Sequence, residues 1–360
     1  MGAKENKGPG MTAASIVLTV IAVVIFLVRS YSQRLVKRGF SLDEIFLSAG
    51  LILTIGLCIE TCLCFHWGAG RHMEDILLAD PNPLPNLRKY WIAGYASVVT
   101  WAVAMFAIKL SLLSLYKRIF LVQNTVRRWF RVFVYAVMGY VICSSIAIIF
   151  SYIFICTPIS HWWTQANAAV GKPVPKGECP NLVPRGLACT ALNIVSDILT
   201  FSLGVSGLWT LQMDRQRKFM VGGILAMGSA CCIVSIVRLP ILLDATFSND
   251  PTWSNANSLL IGVLEGATGI ISASLPGLAP LVRRWQRTVK ARKGTSSDSE
   301  PGPSHEYSNR ANTYAHKMSA SIGVQGMPGR YIPMDDMNSD KSAQLDTTPL
   351  SPTQQHRNFR

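Results

Sequence analysis

Seven separate stretches of roughly 20 mainly apolar residues, each long enough to cross a bilayer as a helix, constrain this chain more than any other feature. They run over about Met11–Arg29, Asp43–Phe65, Trp91–Tyr116, Val132–Ile155, Gly186–Leu211, Phe219–Ala245 and Asn257–Val282. An unpaired backbone amide in lipid costs several kcal/mol, so only helices and closed barrels cross a bilayer. Runs of this length predict helices. The expected fold is all-α: a polytopic membrane protein whose residues 11–285 form a seven-transmembrane helix bundle. The first run is long and lacks a clear small-residue cleavage site, so it is expected to be a retained span rather than a signal peptide.

Composition agrees with this reading. At 49% hydrophobic and 15% charged, with mean hydropathy +0.29, the chain is too apolar for an ordinary soluble domain of its length. The formal charge of +14 comes from basic residues in the loops between apolar runs and in a polar tail. That placement indicates membrane topology and no nucleic-acid partner. Eighteen Lys and Arg fall on one side of the expected membrane, including Arg34, Lys37, Arg38, Lys117, Arg118 and the run Arg283–Lys293, against eight on the other. The positive-inside rule then puts residues 1–10 on the extracytosolic side and the tail, 286–360, in the cytosol. From 294 onward Ser, Pro, Gly, Asn and Asp dominate, a composition expected to be disordered. The basic run before it fits a stop signal for the last span, a patch for anionic lipid or a short amphipathic helix.

Ionisable residues inside spans are costly unless paired or hydrated, so each is a candidate site. Glu60, Arg238, Asp244 and Glu265 fall in the outer part of their spans, Asp197 near the middle and Lys109 deeper. These positions predict an outward-facing polar ligand cavity built from Glu60, Asp197, Arg238, Asp244 and Glu265. A purely structural alternative has Arg238 paired with Glu265 or Glu60, and Lys109 snorkelling toward the cytosolic side. Asn193, Ser196 and Asp197 share one or adjacent helical faces, so Asp197 is expected either to pair with Lys109 or to bind a cation. Tryptophans 67, 162 and 163 fit an interfacial belt or an aromatic ligand box. His66, His72 and His161 do not have zinc spacing, and no metal site is expected.

Of nine cysteines, Cys58, Cys62, Cys143, Cys189, Cys231 and Cys232 lie in spans and are expected to be inert core thiols. Cys156 and Cys179 lie on the expected oxidising side and are the candidate disulfide, with Cys64 as a competing partner. Pro240, Pro276 and Pro280 interrupt spans six and seven, where kinks are expected.

Six motifs recur in order over about residues 26–285: WGAGRH at 67–72, KLSLLSLYKRIF at 109–120, CTPISHWW at 156–163 with GEC at 177–179, NIVSDI at 193–198, SIVRL at 235–239 and SLPGLAPLVRRW at 274–285. Together they make the chain resemble the fungal rhodopsin-like domain family. The resemblance implies a receptor-like integral membrane protein of a filamentous fungus, in the plasma membrane or an endomembrane, sensing a small extracytosolic ligand. Cytosolic signalling partners would then meet the basic loops and the Ser/Thr-rich tail. The alternative it implies is a membrane enzyme, accessory or transport protein acting on a lipophilic metabolite in a secondary-metabolite pathway. Desolvated Asp197 or Glu265 would then serve as general acid, but no DDxxD-type acidic pair occurs. No repeated half-sequences of the transporter kind are seen either. The chain departs from receptor-like members that carry an eight-cysteine amino-terminal domain, and it has Asp43 and Glu44 where the family often has paired aspartates. Despite the family name no retinal is expected, because the seventh run has no lysine for a Schiff base.

Overall fold

The computed structural model describes residues 6–35, 41–79, 81–121, 128–180, 182–209, 215–248 and 250–294. The tail from 295, and the basic residues Lys37, Arg38 and Arg127, lie outside the described residues. All seven apolar runs are helices: α1 (Gly8–Leu35), α2 (Leu42–His66), α4 (Leu84–Leu121), α5 (Arg128–Ile153), α7 (Leu182–Trp209), α8 (Arg215–Phe247) and α9 (Pro251–Gly294). Each is long and apolar enough to cross a membrane. Two short helices, α3 (Met73–Ala79) and α6 (His161–Thr164), the latter running into a 3₁₀ segment at Gln165–Val170, occupy stretches read above as loops.

Neighbours in the chain are neighbours in space. The helices pack in the cyclic order α1, α2, α4, α5, α7, α8, α9, and α9 closes the ring against α1. Helix α4 also touches α7 and α9, so it runs through the centre. Its residues Trp101, Met105 and Ile108 share one core cluster with Leu47 and Leu51 of α2 and Val263 and Ile270 of α9. Lipid solvates apolar side chains as well as a protein interior does, so close packing and hydrogen bonds must hold such helices together. Many Ser and Thr hydroxyls therefore donate back to their own helix, as Thr54 does to Gly50 and Ser274 to Ile270. Helices α8 and α9 continue through Pro240, Pro276 and Pro280. The basic run Arg283–Lys293 extends α9 rather than forming a separate helix.

One end of the bundle gathers the α2–α3 turn, the α5–α7 connection and the α8–α9 turn. WGAGRH makes the first of these possible: Gly68 (φ 123°) and Gly70 (φ 81°) have backbone angles that L side chains disfavour. Their turn lets Gly70 accept from Lys7 N–H and donate to Thr252 O. His72 stacks on Trp253 at 4.2 Å, with Lys7 Nζ 3.7 Å from the other ring's centre, and pairs with Asp250 at 2.7 Å. Burial pushes the Asp250 carboxyl up, but hydrogen bonds from His72, Thr252 and the Met73 N–H outweigh it and hold the carboxyl below its ordinary value of 3.8. A depressed carboxyl stabilises above its unfolded pKa and loses that contribution as pH falls through the folded one. We expect the tryptophan fluorescence of the wild type to show an acid step that begins near the ordinary carboxyl value of 3.8 and is complete once pH has fallen through the lower folded value. An Asp250→Asn variant lacks this acid step.

The α5–α7 connection is held by a disulfide between Cys156 and Cys179, 23 residues apart. Cys64 is a free, buried thiol in α2. Thr157 and Glu178 exchange backbone hydrogen bonds beside the bridge, at 2.8 and 3.0 Å. Arg185 ties the same loop down through Phe154 O, Ile155 O and Pro180 O. For a loop of this length, opening the bridge frees about 3 kcal/mol of chain entropy. The double variant Cys156→Ser/Cys179→Ser is therefore expected to unfold at lower temperature in detergent, and an unchanged melting point would show that Arg185 and the Thr157–Glu178 hydrogen bonds hold the loop without the bridge.

Candidate ligand-binding site

The helical period decides which polar groups meet. On α7, Asn193, Ser196 and Asp197 sit at i, i+3 and i+4, one face of the helix. On α8, Ser235 and Arg238 are three apart, and on α4, Trp101 and Lys109 are eight apart, again one face each. Glu265 comes from α9. These four faces converge in the bundle interior.

There Lys109 Nζ lies 2.9 Å from Asp197 Oδ1 and donates to Asn193 Oδ1 at 2.7 Å and to Ser196 Oγ. Arg238 Nη1 donates to Glu265 Oε2 at 2.8 Å, and Trp101 Nε1 reaches the same oxygen at 3.0 Å. Asn193 Nδ2 joins the two ion pairs by donating to Glu265 Oε1 at 2.7 Å. The Ser235 hydroxyl sits between Asp197 Oδ2 (2.6 Å) and Glu265 Oε1 (3.0 Å). The Arg238 guanidinium carbon lies over the Trp101 ring, 3.5 Å from its centre. All four charged groups are at least nine-tenths buried, Glu265 completely. Two cations face two anions, so the network is neutral as a unit, as burial in a low-dielectric interior requires.

Arg238 has a second face. It forms the floor of a cavity of about 260 Å³ that opens toward the disulfide end. Tyr90, Trp91 and Tyr95 of α4, Trp162 of α6, and Leu242 and Thr246 of α8 form much of its wall. A smaller hollow of about 40 Å³, bounded by Trp101, Ser97 and Gly262, continues beneath it past Arg238. Tyr95 OH donates to Ile153 O at 2.8 Å and Asn255 Nδ2 to Tyr90 OH at 3.0 Å, which fixes two wall residues. The Trp91 and Trp162 rings meet edge to face at 5.3 Å.

The expected site residues divide accordingly. Arg238 touches the cavity, while Glu265 and Asp197 lie behind it, joined to it through Arg238. Lys109 and Asp197 form an ion pair. Glu60 stands apart on α2, with one carboxylate oxygen accepting from Thr100 Oγ1 at 3.0 Å and the other buried without a partner. Asp244 is exposed and lines neither space, because α8 sets Leu242, Ala245 and Thr246 along the cavity and carries position 244 round to another face. Of the tryptophans in the loops, Trp162 joins the cavity wall, whereas Trp163 packs against Tyr95. Trp91, Trp101, Ser235 and Tyr152 were not singled out from sequence, since an aromatic or serine inside an apolar run carries no signal of its own. No cluster of three His, Cys, Asp or Glu able to hold a metal ion occurs among the described residues.

Seven membrane-length helices in a ring, with a charge network at their centre, define a seven-helix integral membrane protein. The profile of the fungal rhodopsin domain matches residues 28–284. The chain belongs to that family, and it is an integral, multi-pass membrane protein. It is 28% identical over 235 residues to a SAT4 family membrane protein of Emericella nidulans, an alignment covering 64% of this chain and 56% of the relative. The chain thus spans little more than half the length of that relative. It is 24% identical to satratoxin biosynthesis SC1 cluster protein 4 of Stachybotrys chartarum, covering 68% of this chain and 88% of the relative. It is 20% identical to wortmanamides biosynthesis cluster protein C of Talaromyces wortmannii, over 93% and 91%. No solved structure matches the chain.

Proposed function

We propose that this protein is a receptor-like sensor that binds a small molecule in the cavity above Arg238, on the extracytosolic side of the membrane. The observation that carries the reading is the position of Arg238, one side chain shared by the cavity floor and the buried network. An occupant that alters how Arg238 holds Glu265 acts on Asn193, Asp197 and Lys109 through direct hydrogen bonds. Occupancy is thereby linked to how α4, α7, α8 and α9 are held together, the differential contact that a ligand-driven change requires. The orientation, with the tail and basic end in the cytosol, rests on the distribution of Lys and Arg. Lys109 is engaged with Asp197, Asn193 and Ser196, so this reading assigns it no Schiff base.

The names of two relatives favour a second reading, an accessory or enzymatic role in making a lipophilic metabolite. Deleting the gene in its native host separates the two. A sensor's loss abolishes the transcriptional response to added metabolite while synthesis continues. Loss of a pathway component leaves an intermediate to accumulate.

A further inference from the structure

Gly94 stands inside the long helix α4 and lines both the cavity and the hollow beneath it. A glycine within a helix lowers its stability relative to alanine, so its presence there needs a physical reason. Backbone conformation is not that reason, since Gly94 is not among the glycines of positive φ. Close packing is not the reason either, because a Cβ at Gly94 would meet nothing within 4 Å. Gly186 of α7 also lines the cavity, and a Cβ there would come no closer than 3.7 Å to a neighbour, Leu242 Cδ2, an ordinary contact. Two helical glycines whose side chains would fit thus line one cavity. What their missing side chains leave is room for an occupant.

The size and charge of that occupant follow from the space and its wall. The cavity measures about 260 Å³, against roughly 150 Å³ for an apolar cavity that takes up one benzene, so it has space for about two fused rings. Five aromatic residues line it, Tyr90, Trp91 and Tyr95 of α4, Tyr152 of α5 and Trp162 of α6, and rings stack or meet edge to face with other flat molecules. Three polar side chains of the wall already donate within the protein, Tyr95 to Ile153 O, Thr246 to Leu242 O and Asn255 to Tyr90 OH. Among the described lining residues only Arg238 is charged, and Glu265 neutralises it at 2.8 Å. An anion would add an unbalanced charge to a neutral network in a low-dielectric interior. A cation would be drawn to the rings, but it would meet Arg238 with no carboxylate among those residues to balance it.

We infer that the cavity takes an uncharged, flat, mainly apolar molecule of about two fused rings, seated over Gly94 among the aromatic side chains. The inference rests on the cavity being a binding site, as proposed above, and adds the chemical class of its ligand and the residue that leaves it room. The test uses the full chain in lipid nanodiscs and counts saturable binding, by isothermal titration, beyond that of empty nanodiscs. Naphthalene-2-carboxamide, naphthalene-2-carboxylate and naphthalene-2-carboxamidine share one shape and are neutral, anionic and cationic near neutral pH, and benzamide is the neutral one-ring probe. The naphthalene amide is expected to bind about tenfold more tightly than either ion and than benzamide. Gly94→Ala is expected to melt no lower than the wild type and to weaken the amide about threefold, and Gly94→Leu to weaken it by about tenfold or more, because each fills part of the space. A lower melting point for Gly94→Ala, or amide binding unchanged in the variants that fold, overturns the seat at Gly94 while leaving the cavity a binding site. Either ion binding as tightly as the amide overturns the uncharged class, and benzamide matching the naphthalene amide overturns the two-ring size. Saturable binding by none of the four overturns the binding site itself.

Discussion

Lys109→Met is expected to destabilise the solubilised protein by about 3–5 kcal/mol, because it strands a buried carboxylate. Asp197 is 7% exposed, and Lys109 is its cationic partner at 2.9 Å. The remaining neighbours, Ser235 and Asn193, offer only neutral donors, and Asn193 is shared with Glu265. Methionine fills a similar volume, so the loss reports charge rather than packing. The double variant Lys109→Met/Asp197→Asn removes both charges and is expected to recover most of the loss. Thermal unfolding of the purified variants checks both results. A single variant that melts like wild type would mean that the amine does not stay at Asp197 and extends instead toward the membrane surface.

The second large effect is expected near the end of the bundle away from the cavity. Arg29 is 1% exposed and donates to Asp43 Oδ2 at 3.0 Å and to Ala273 O at 2.7 Å. It thereby joins α1, α2 and α9. Asp43 also receives the Ser41 hydroxyl, and its backbone oxygen accepts from Ser111 of α4 at 2.7 Å. Asp43→Ala leaves a buried guanidinium without the carboxylate it contacts and is expected to cost about 3–5 kcal/mol. Arg118, also near Asp43, provides the control. It is 3.6 Å away with its side chain 43% exposed, so Arg118→Ala is expected to change stability by under about 1 kcal/mol. Equal losses from the two substitutions would show that Asp43 is shared evenly between the arginines. Packing reinforces the same joint: a Cβ on Gly277 would stand 2.8 Å from Arg29 Cγ, so Gly277→Val should displace the arginine and lower the melting temperature as well.

Buried ions therefore tie the bundle at its centre and near the end away from the cavity, with the proposed ligand contact placed only at the first. The cavity wall includes Trp162, which sits five residues after the Thr157–Glu178 bridge and six after Cys156. Loss of the disulfide should therefore weaken binding as well as stability.

Some features were legible before any fold was known. An apolar run of about 20 residues has few alternatives to a helix in lipid, so the seven spans and their approximate limits follow from residue order alone. The helical period placed Asn193, Ser196 and Asp197 on one face, and depth along the axis made Lys109 a candidate partner for Asp197. The sequence left Arg238 with two carboxylates to choose from, and it offered no means of seeing that Arg29 and Asp43 meet, since each stands at a span end where charges are common. Tertiary structure decided those pairings because they depend on the rotation of each helix about its own axis. Rotation turned Asp244 out of the cavity, kept Glu60 beside Thr100, brought Trp101 and Glu265 against one arginine and set Ser235 between Asp197 and Glu265. It also set the indoles of Trp91 and Trp162 into one wall with Arg238. Sequence determined that charges would lie within the membrane; only packing determined which of them neutralise each other, because a buried charge is stable only beside the partner that the fold supplies.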